Sequence, residues 1–162
     1  MDQLKLLKRT IELAEIALDK GSVPIGAVIA DKNGEIISEG FNEIKLSNDP
    51  TAHAEVICMR KANIKIVFKH NPDSTFLFTS LEPCFACAFF VTRTNIRHIT
   101  WALDDPYKGG VKFLMDSEKM QTDFKTIELN SEPDAFLRDK SKELMKKYYT
   151  NKGDFQTASI FS

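Results

Sequence analysis

Residues 75–103 have the sequence TFLFTSLEPCFACAFFVTRTNIRHITWAL, which predicts a strand, a helix and a second strand in direct succession. Aromatic and β-branched residues favour a strand over residues 75–79. Proline is tolerated at the start of a helix, so Pro83 favours a helix over residues 84–93. A second strand is predicted over residues 97–103. Strands that alternate with helices in this way are typical of an α/β domain.

The flanking sequence extends the same pattern in both directions. The sequence predicts helices over 2–20, 52–62 and 133–149, a hairpin of strands 23–30 and 35–41, a loop over 42–50 and a fifth strand over 124–129. The expected architecture is a three-layer α/β/α domain, with a central five-stranded mixed sheet and helices on both faces. Residues 1–150 are expected to form this single domain, and residues 151–162 a loosely held C-terminal tail.

The composition is that of a globular protein and excludes several classes. The chain has 162 residues, of which 43% are hydrophobic, so a disordered or fibrous chain is excluded. Its net charge of -1 argues against a general nucleic-acid binder, which would be basic overall. An odd number of cysteines (three) and no apparent export or membrane-spanning segment predict a cytoplasmic protein without a membrane partner.

Two short motifs carry the candidate chemistry. They are Thr51-Ala52-His53-Ala54-Glu55 and Leu81-Glu82-Pro83-Cys84-Phe85-Ala86-Cys87. Zinc takes nitrogen and sulfur ligands in a tetrahedral arrangement, and a catalytic site leaves the fourth position to water. We therefore predict that His53, Cys84 and Cys87 bind one zinc ion. Glu55 stands close enough to act as a proton carrier beside the metal.

The sequence resembles the cytidine/deoxycytidylate deaminase superfamily. The pattern H-x-E … P-C-x-x-C is the signature of its zinc nucleobase deaminases. Within the superfamily it looks most like the bacterial tRNA adenosine deaminases, and the bacterial guanine deaminases are the nearest neighbours. The stretches that carry this likeness are Val23–Val28, Asp49–Glu55, Leu81–Cys84 and Leu114–Asp116, and Ser47–Val56 also looks like the guanine enzymes.

The resemblance implies a cytidine-deaminase-like fold, one Zn²⁺ per chain and hydrolytic deamination. The exocyclic amine of a base becomes a carbonyl, and Glu55 moves the proton. Asn42, the Ala54 amide and the turn at Pro83 would hold the base. A homodimer is also implied.

Three functions remain open at this point, beside the interpretation of the chain as a structural zinc module with no pocket. The first is deamination of adenosine to inosine in the tRNA anticodon loop. The second is deamination of guanine or another free nucleobase or nucleoside. The third is a catalytically silent family member that binds RNA or a partner, with its pocket blocked by Phe89 or Phe90.

Other conspicuous residues have structural interpretations. Cys58 is predicted to be a small core residue that points away from the metal. His70 and His98 are predicted to be surface or strand-end residues. Phe85, Phe89 and Phe90 are predicted to lie in the core or an interface. The basic stretch 138–152 is either a solvated helix face or an RNA contact.

Overall fold

The computed structural model describes residues 1–62 and 75–162. The helices in these ranges are α1 (Gln3–Asp19), α2 (Ile44–Ser47), α3 (Ala54–Ala62), α4 (Phe85–Thr92), α5 (Val111–Asp116), α6 (Gln121–Phe124), α7 (Ala135–Asn151) and α8 (Phe155–Ile160). The strands are β1 (Gly26–Asp31), β2 (Ile36–Phe41), β3 (Thr75–Thr79), β4 (His98–Trp101) and β5 (Glu128–Ser131). Among these helices, none is long and apolar enough to cross a bilayer. His70 lies outside the described residues.

The five strands form one mixed sheet in the order β2-β1-β3-β4-β5. Strand β1 is antiparallel to both β2 and β3, whereas β4 is parallel to both β3 and β5. The strand–helix–strand unit of residues 75–103 accounts for the parallel pair of β3 and β4, because parallel neighbours need a crossover connection. The predicted five-stranded mixed sheet is confirmed.

Side chains alternate along the buried strand β1 and so build two separate cores. Ala27 and Ile29 pack with Cys58 of α3 and with residues of α4, α5 and α6. Val28 and Ala30 point to the opposite face and pack with residues of α1 and α7. Helices therefore cover both faces of the sheet, which confirms the three-layer α/β/α arrangement.

The start of β1 lies tightly against α1, and this contact requires a glycine. A Cβ atom at Gly26 would lie 2.2 Å from the backbone oxygen of Thr10 and 2.6 Å from Cβ of Leu13. The Gly26 amide donates to the Ser80 hydroxyl at 3.1 Å, and the Ser80 amide donates to the Gly26 carbonyl at 3.0 Å. These bonds attach the start of the 80–84 segment to the beginning of β1.

Two predicted elements are wrong in detail. The fifth strand spans Glu128–Ser131 and not 124–129, because Phe124 ends α6 and packs into the core from a helical turn. The loop over 42–50 contains the short helix α2. Periodicity could not separate these cases, since a short apolar run suits either a strand or a buried helix turn.

The C-terminal segment is not a loose tail, so that prediction is also wrong. Asp154 caps α8 by accepting a hydrogen bond from the Thr157 amide at 3.0 Å. Phe161 is 2% exposed and packs in a cluster with Leu81, Leu103 and Met145. Burial of this ring fixes residues 155–161 to α7 and to the segments that follow β3 and β4.

We expect Phe161→Ala to lower the free energy of unfolding by about 3 kcal/mol, since truncation of a buried Phe leaves a cavity. Phe155→Ala is the matched control at the other end of the same segment, because Phe155 is 68% exposed. The control should change stability by less than about 0.5 kcal/mol. Urea unfolding followed by circular dichroism measures both, and equal effects would contradict the burial of Phe161.

Candidate metal centre and active site

Three ligand atoms converge at the beginnings of two helices. His53 directly precedes α3, Cys84 is the N-cap residue of α4, and Cys87 lies in the first turn of α4. One ligand atom from each of these residues lies within 4.8 Å of the other two, and His53 Nδ1 is 3.6 Å from Cys84 Sγ. The sheet and the packing of α3 and α4 thus bring together residues separated by about thirty positions in the chain.

The donor set fits a zinc ion. Zinc binds thiolate sulfur at about 2.3 Å and imidazole nitrogen at about 2.0–2.1 Å, so ligands of one ion lie within a few ångströms of each other. Two sulfurs and one nitrogen are the donors that zinc prefers, and three protein ligands are typical of a catalytic site. His53, Cys84 and Cys87 could hold one zinc in this way.

Hydrogen bonding among these groups favours a thiolate. The hydrogen bond from Cys87, together with the contact to His53, lowers the pKa of Cys84 to about 4. The same pairing with Cys84, followed by burial, raises the pKa of the Cys87 thiol. The contact with Cys84 raises the pKa of His53. A thiolate is the form of cysteine that binds metals.

Glu55 lies in the first turn of α3 and is only 3% exposed. Burial raises the pKa of its carboxyl to about 7, and the negative charge of Cys84 adds to this effect. Burial of an acidic side chain without a paired cation costs free energy, so such groups are concentrated at functional sites.

A cavity of about 170 Å³ lies against His53, Glu55 and Cys84. Asn42, which is 2% exposed, also lines it, and its side-chain oxygen accepts a hydrogen bond from the Ile44 amide at 3.3 Å. Pockets for drug-sized ligands usually measure about 300–1,000 Å³, so this cavity suits a smaller group, such as a single base.

The cavity wall also contains residues for which the sequence predicted no role in the site. They are Val23, Ile25, Ile44, Leu81, Glu82, Asp105, Tyr107, Lys108, Met145 and Tyr149. For Glu82, the sequence signal of a role in the site was its position two residues before the predicted ligand Cys84. For α7, the signal was the spacing of Met145 and Tyr149, which puts both on one helix face. The sequence could not indicate that α7 and the loop 104–110 meet at this cavity.

Two predicted base-binding residues lie just outside the described cavity lining. Ala54 is fully buried, directly between His53 and Glu55. The Pro83 carbonyl accepts a hydrogen bond from the Gly110 amide at 3.0 Å. Ala54 directly precedes Glu55 and Pro83 directly precedes Cys84, and both Glu55 and Cys84 line the cavity.

Cys58 and His98 occupy the structural positions that the sequence predicted for them. Cys58 is fully buried, with its sulfur 3.1 Å from the Ala27 carbonyl, so the core prediction is confirmed. His98 begins β4 and pairs with Glu128 at 3.0 Å, which confirms a strand-end position.

The phenylalanines of α4 lie on the surface. Phe85, Phe89 and Phe90 are 51%, 40% and 45% exposed, so the core alternative is wrong for them. Phe89 and Phe90 are not among the residues described as lining the cavity. Neither ring blocks it.

The fold and the His–Cys–Cys group beside a buried carboxylate define the class of zinc-dependent hydrolytic enzymes. A family model described as "Cytidine and deoxycytidylate deaminase zinc-binding region" matches residues 1–103. The chain belongs to this zinc-binding deaminase family.

Individual relatives agree with this assignment. A tRNA-specific adenosine deaminase of Aquifex aeolicus is 36% identical over 105 residues, which cover 65% of this chain and 68% of that protein. A guanine deaminase of Bacillus subtilis is 47% identical over 88 residues, which cover 54% of this chain and 55% of that protein. A solved structure from work on A-to-I editing by tRNA:A34 deaminases at the wobble position has a TM-score of 0.65 and 26% identity, and it covers 81% of this chain and 99% of that one.

The three cysteines allow a direct test of the metal ligands. We expect Cys84→Ala and Cys87→Ala to lose stoichiometric zinc, because each removes one of three protein ligands. Cys58→Ala is the control, since its sulfur faces the Ala27 carbonyl, and it should keep about one zinc per chain. Elemental analysis of protein purified without chelators measures this, with circular dichroism to verify folding. Equal zinc loss in all three variants would contradict the assignment.

Proposed function

We propose that this chain deaminates adenosine to inosine in the anticodon loop of tRNA. The observation that carries the proposal is the buried Glu55 carboxylate beside the His53, Cys84 and Cys87 group, in the wall of a base-sized cavity. A zinc ion bound by these three residues would supply a Lewis acid and lower the pKa of water toward about 7. Hydrolytic deamination needs an activated water and a group that moves protons, and this arrangement provides for both.

Glu55 is proposed as the catalytic residue. Its carboxylate takes a proton from the attacking water and delivers it to the ring nitrogen of the base. It then takes the remaining proton of the hydroxyl group now bonded to the ring carbon and delivers it to the amino group, so the C–N bond breaks, neutral ammonia leaves and the ring carbon becomes a carbonyl. The low exposure of Glu55 limits proton exchange with bulk solvent during these transfers.

Asn42, Ala54 and Pro83 are proposed to hold the base. The Asn42 amide offers both a donor and an acceptor to the edge of a base. The Ala54 amide belongs to the first turn of α3, where backbone N–H groups lack partners within the helix. The turn at Pro83 places backbone polar groups next to Cys84.

Lysines on α7, at its C-cap and in the loop 104–110 favour a polyanionic substrate. Met145 and Tyr149 line the cavity from α7, and Lys142 and Lys152 stand three residues before Met145 and three residues after Tyr149, outside the described lining. Lys108 adds an exposed cation at the rim. Lysine side chains in such positions neutralise backbone phosphates, whereas a free base carries none.

Guanine is the second candidate substrate. The specific observation in its favour is the 47% identity to the guanine deaminase of Bacillus subtilis, which is higher than the 36% identity to the Aquifex aeolicus enzyme. That match covers only about half of either chain.

We also propose that two copies associate through an aromatic patch made of Phe85, Phe89, Phe90 and Phe113. Phe113 is 64% exposed and its ring lies 5.3 Å from that of Phe85. Helix α4 has the sequence FACAFFVT and contains no charged residue, so two copies could pack there without burying a charge from this helix.

The cellular site and the domain boundaries are part of the same proposal. Cys58, Cys84 and Cys87 are all free thiols, which suits a reducing cytoplasm, where tRNA is also found. Residues 1–150 are proposed to form the deaminase domain, against which residues 151–162 pack.

The function is tested by incubating the zinc-loaded protein with a tRNA anticodon stem-loop, guanine, adenine, guanosine and cytidine, with ammonia release as the readout. We expect turnover of the stem-loop. Glu55→Gln should lower turnover by about 10²–10⁴-fold and keep its zinc, because it removes only the proton carrier. Glu15→Gln, an exposed change on α1, is the control.

Other results would redirect the proposal. Turnover of guanine without action on RNA would reverse the order of the two substrates. Zinc binding without turnover of any base would favour the silent family member.

The proposed association predicts that Phe89→Asp shifts the protein to the mass of one chain, 18.4 kDa, in gel filtration with light scattering. A buried unpaired carboxylate would oppose packing of the patch. Phe136→Asp on α7, where the ring is 67% exposed, should leave the assembly unchanged. A wild-type protein that elutes as a monomer would refute the association.

A further inference from the structure

Glu82 is a buried acidic residue whose contacts are unusual. It is 5% exposed and lies between the end of β3 and Cys84. Its Oε2 atom accepts a hydrogen bond from the Asp105 amide at 3.2 Å, and its Oε1 atom accepts one from the Val111 amide at 3.1 Å. One carboxylate therefore joins both ends of the loop 105–111.

The end of the loop needs such an acceptor. Helix α5 begins after Gly110, which has no side chain to cap it. The first backbone N–H groups of a helix have no partner within the helix, and a negative charge is favoured beside them. The Glu82 carboxylate supplies a hydrogen-bond acceptor and a negative charge at this helix beginning. It also accepts a longer hydrogen bond from the Lys112 amide at 3.4 Å.

The loop also lies directly on the carboxylate. A Cβ atom at Gly109 would be only 2.3 Å from Glu82 Oε2, so no larger residue fits there without displacement. The Lys112 ammonium pairs with Asp104 and not with Glu82. The hydrogen-bond partners described for the Glu82 carboxylate are thus backbone amides of the loop and of α5.

This loop forms the outer wall of the cavity. Asp105, Tyr107 and Lys108 line the cavity together with Asn42, His53 and Glu55. We propose that Glu82 is a positioning residue, which holds this wall at a fixed distance from the metal centre and so sets the affinity for substrate. The effect on substrate affinity rests on the proposed function, whereas the attachment of the loop to Glu82 does not.

Glu82→Gln tests the role with little change in shape. Its amide NH₂ would face a backbone N–H in place of an acceptor oxygen, so one end of the loop is released. Residue-resolved hydrogen exchange should show faster exchange at the Asp105 or Val111 amide, by about tenfold to a hundredfold for a lost bond to a charged acceptor. Zinc content should be unchanged, and amides of β1 should exchange as in the wild type.

Kinetics separate positioning from a general loss of structure. We expect KM for the turned-over substrate to rise about tenfold or more, while kcat changes much less, because the loop contacts substrate but not the reacting atoms. Glu118→Gln, an exposed change after α5, is the control and should alter neither quantity. A fall in kcat together with loss of zinc would overturn the proposal, as would unchanged exchange at both amides.

Gly109→Ala is a second variant in case Glu82→Gln does not fold. The added methyl group should push the loop off the carboxylate and give the same faster exchange and higher KM. Unchanged exchange and KM in this variant would also overturn the proposal. If the wild type turned over no base, the exchange measurement would still decide whether Glu82 holds the loop.

Discussion

The site depends on how closely helices α3 and α4 approach each other over one face of the sheet. Both helices contribute to the core that contains Ala27 of β1, and each does so with a small, fully buried residue, Ala54 in α3 and Ala88 in α4. Small side chains at these contacts let the two helix beginnings converge, so His53 Nδ1 comes within 3.6 Å of Cys84 Sγ. Strand β1 lies between β2 and β3, the strands that precede the two motifs in the chain, and so fixes the distance between these motifs.

This convergence creates an electrostatic problem that a cation resolves. A thiolate at Cys84 and a buried carboxylate at Glu55 repel each other where solvent screening is weak, and burial together with this charge raises the pKa of Glu55 to about 7. A divalent ion beside them would compensate the negative charge and would be the largest local charge in the site. The donor set, the burial of Glu55 and the family assignment therefore support one interpretation.

The inner and outer parts of the site are built from different kinds of structure. The metal-ligand side chains and Glu55 sit at helix beginnings supported by the sheet, which holds them rigidly. The outer wall comes from the loop 104–110 and from α7, which Phe161 supports by stacking on Tyr149 at a ring-centroid distance of 6.0 Å. This separation lets the same reaction centre act on different bases, because substitutions in the loop 104–110 or in α7 leave the metal-ligand residues unchanged. It also explains why relatives named for tRNA adenosine and for guanine both resemble this chain.

Local patterns determined much of this protein from sequence alone. Strand β3 was predicted with its observed bounds, and the group of His53, Glu55, Cys84 and Cys87 was predicted as a unit, because ligand type and spacing within each motif are local properties. Long-range packing decided the rest: Phe124 ends a helix, Phe161 is buried in a segment that looked like a loose tail, and Glu82 attaches a loop more than twenty residues away. These outcomes depend on which surfaces meet after the sheet has formed, and neither periodicity nor residue preference within a short window contains that information.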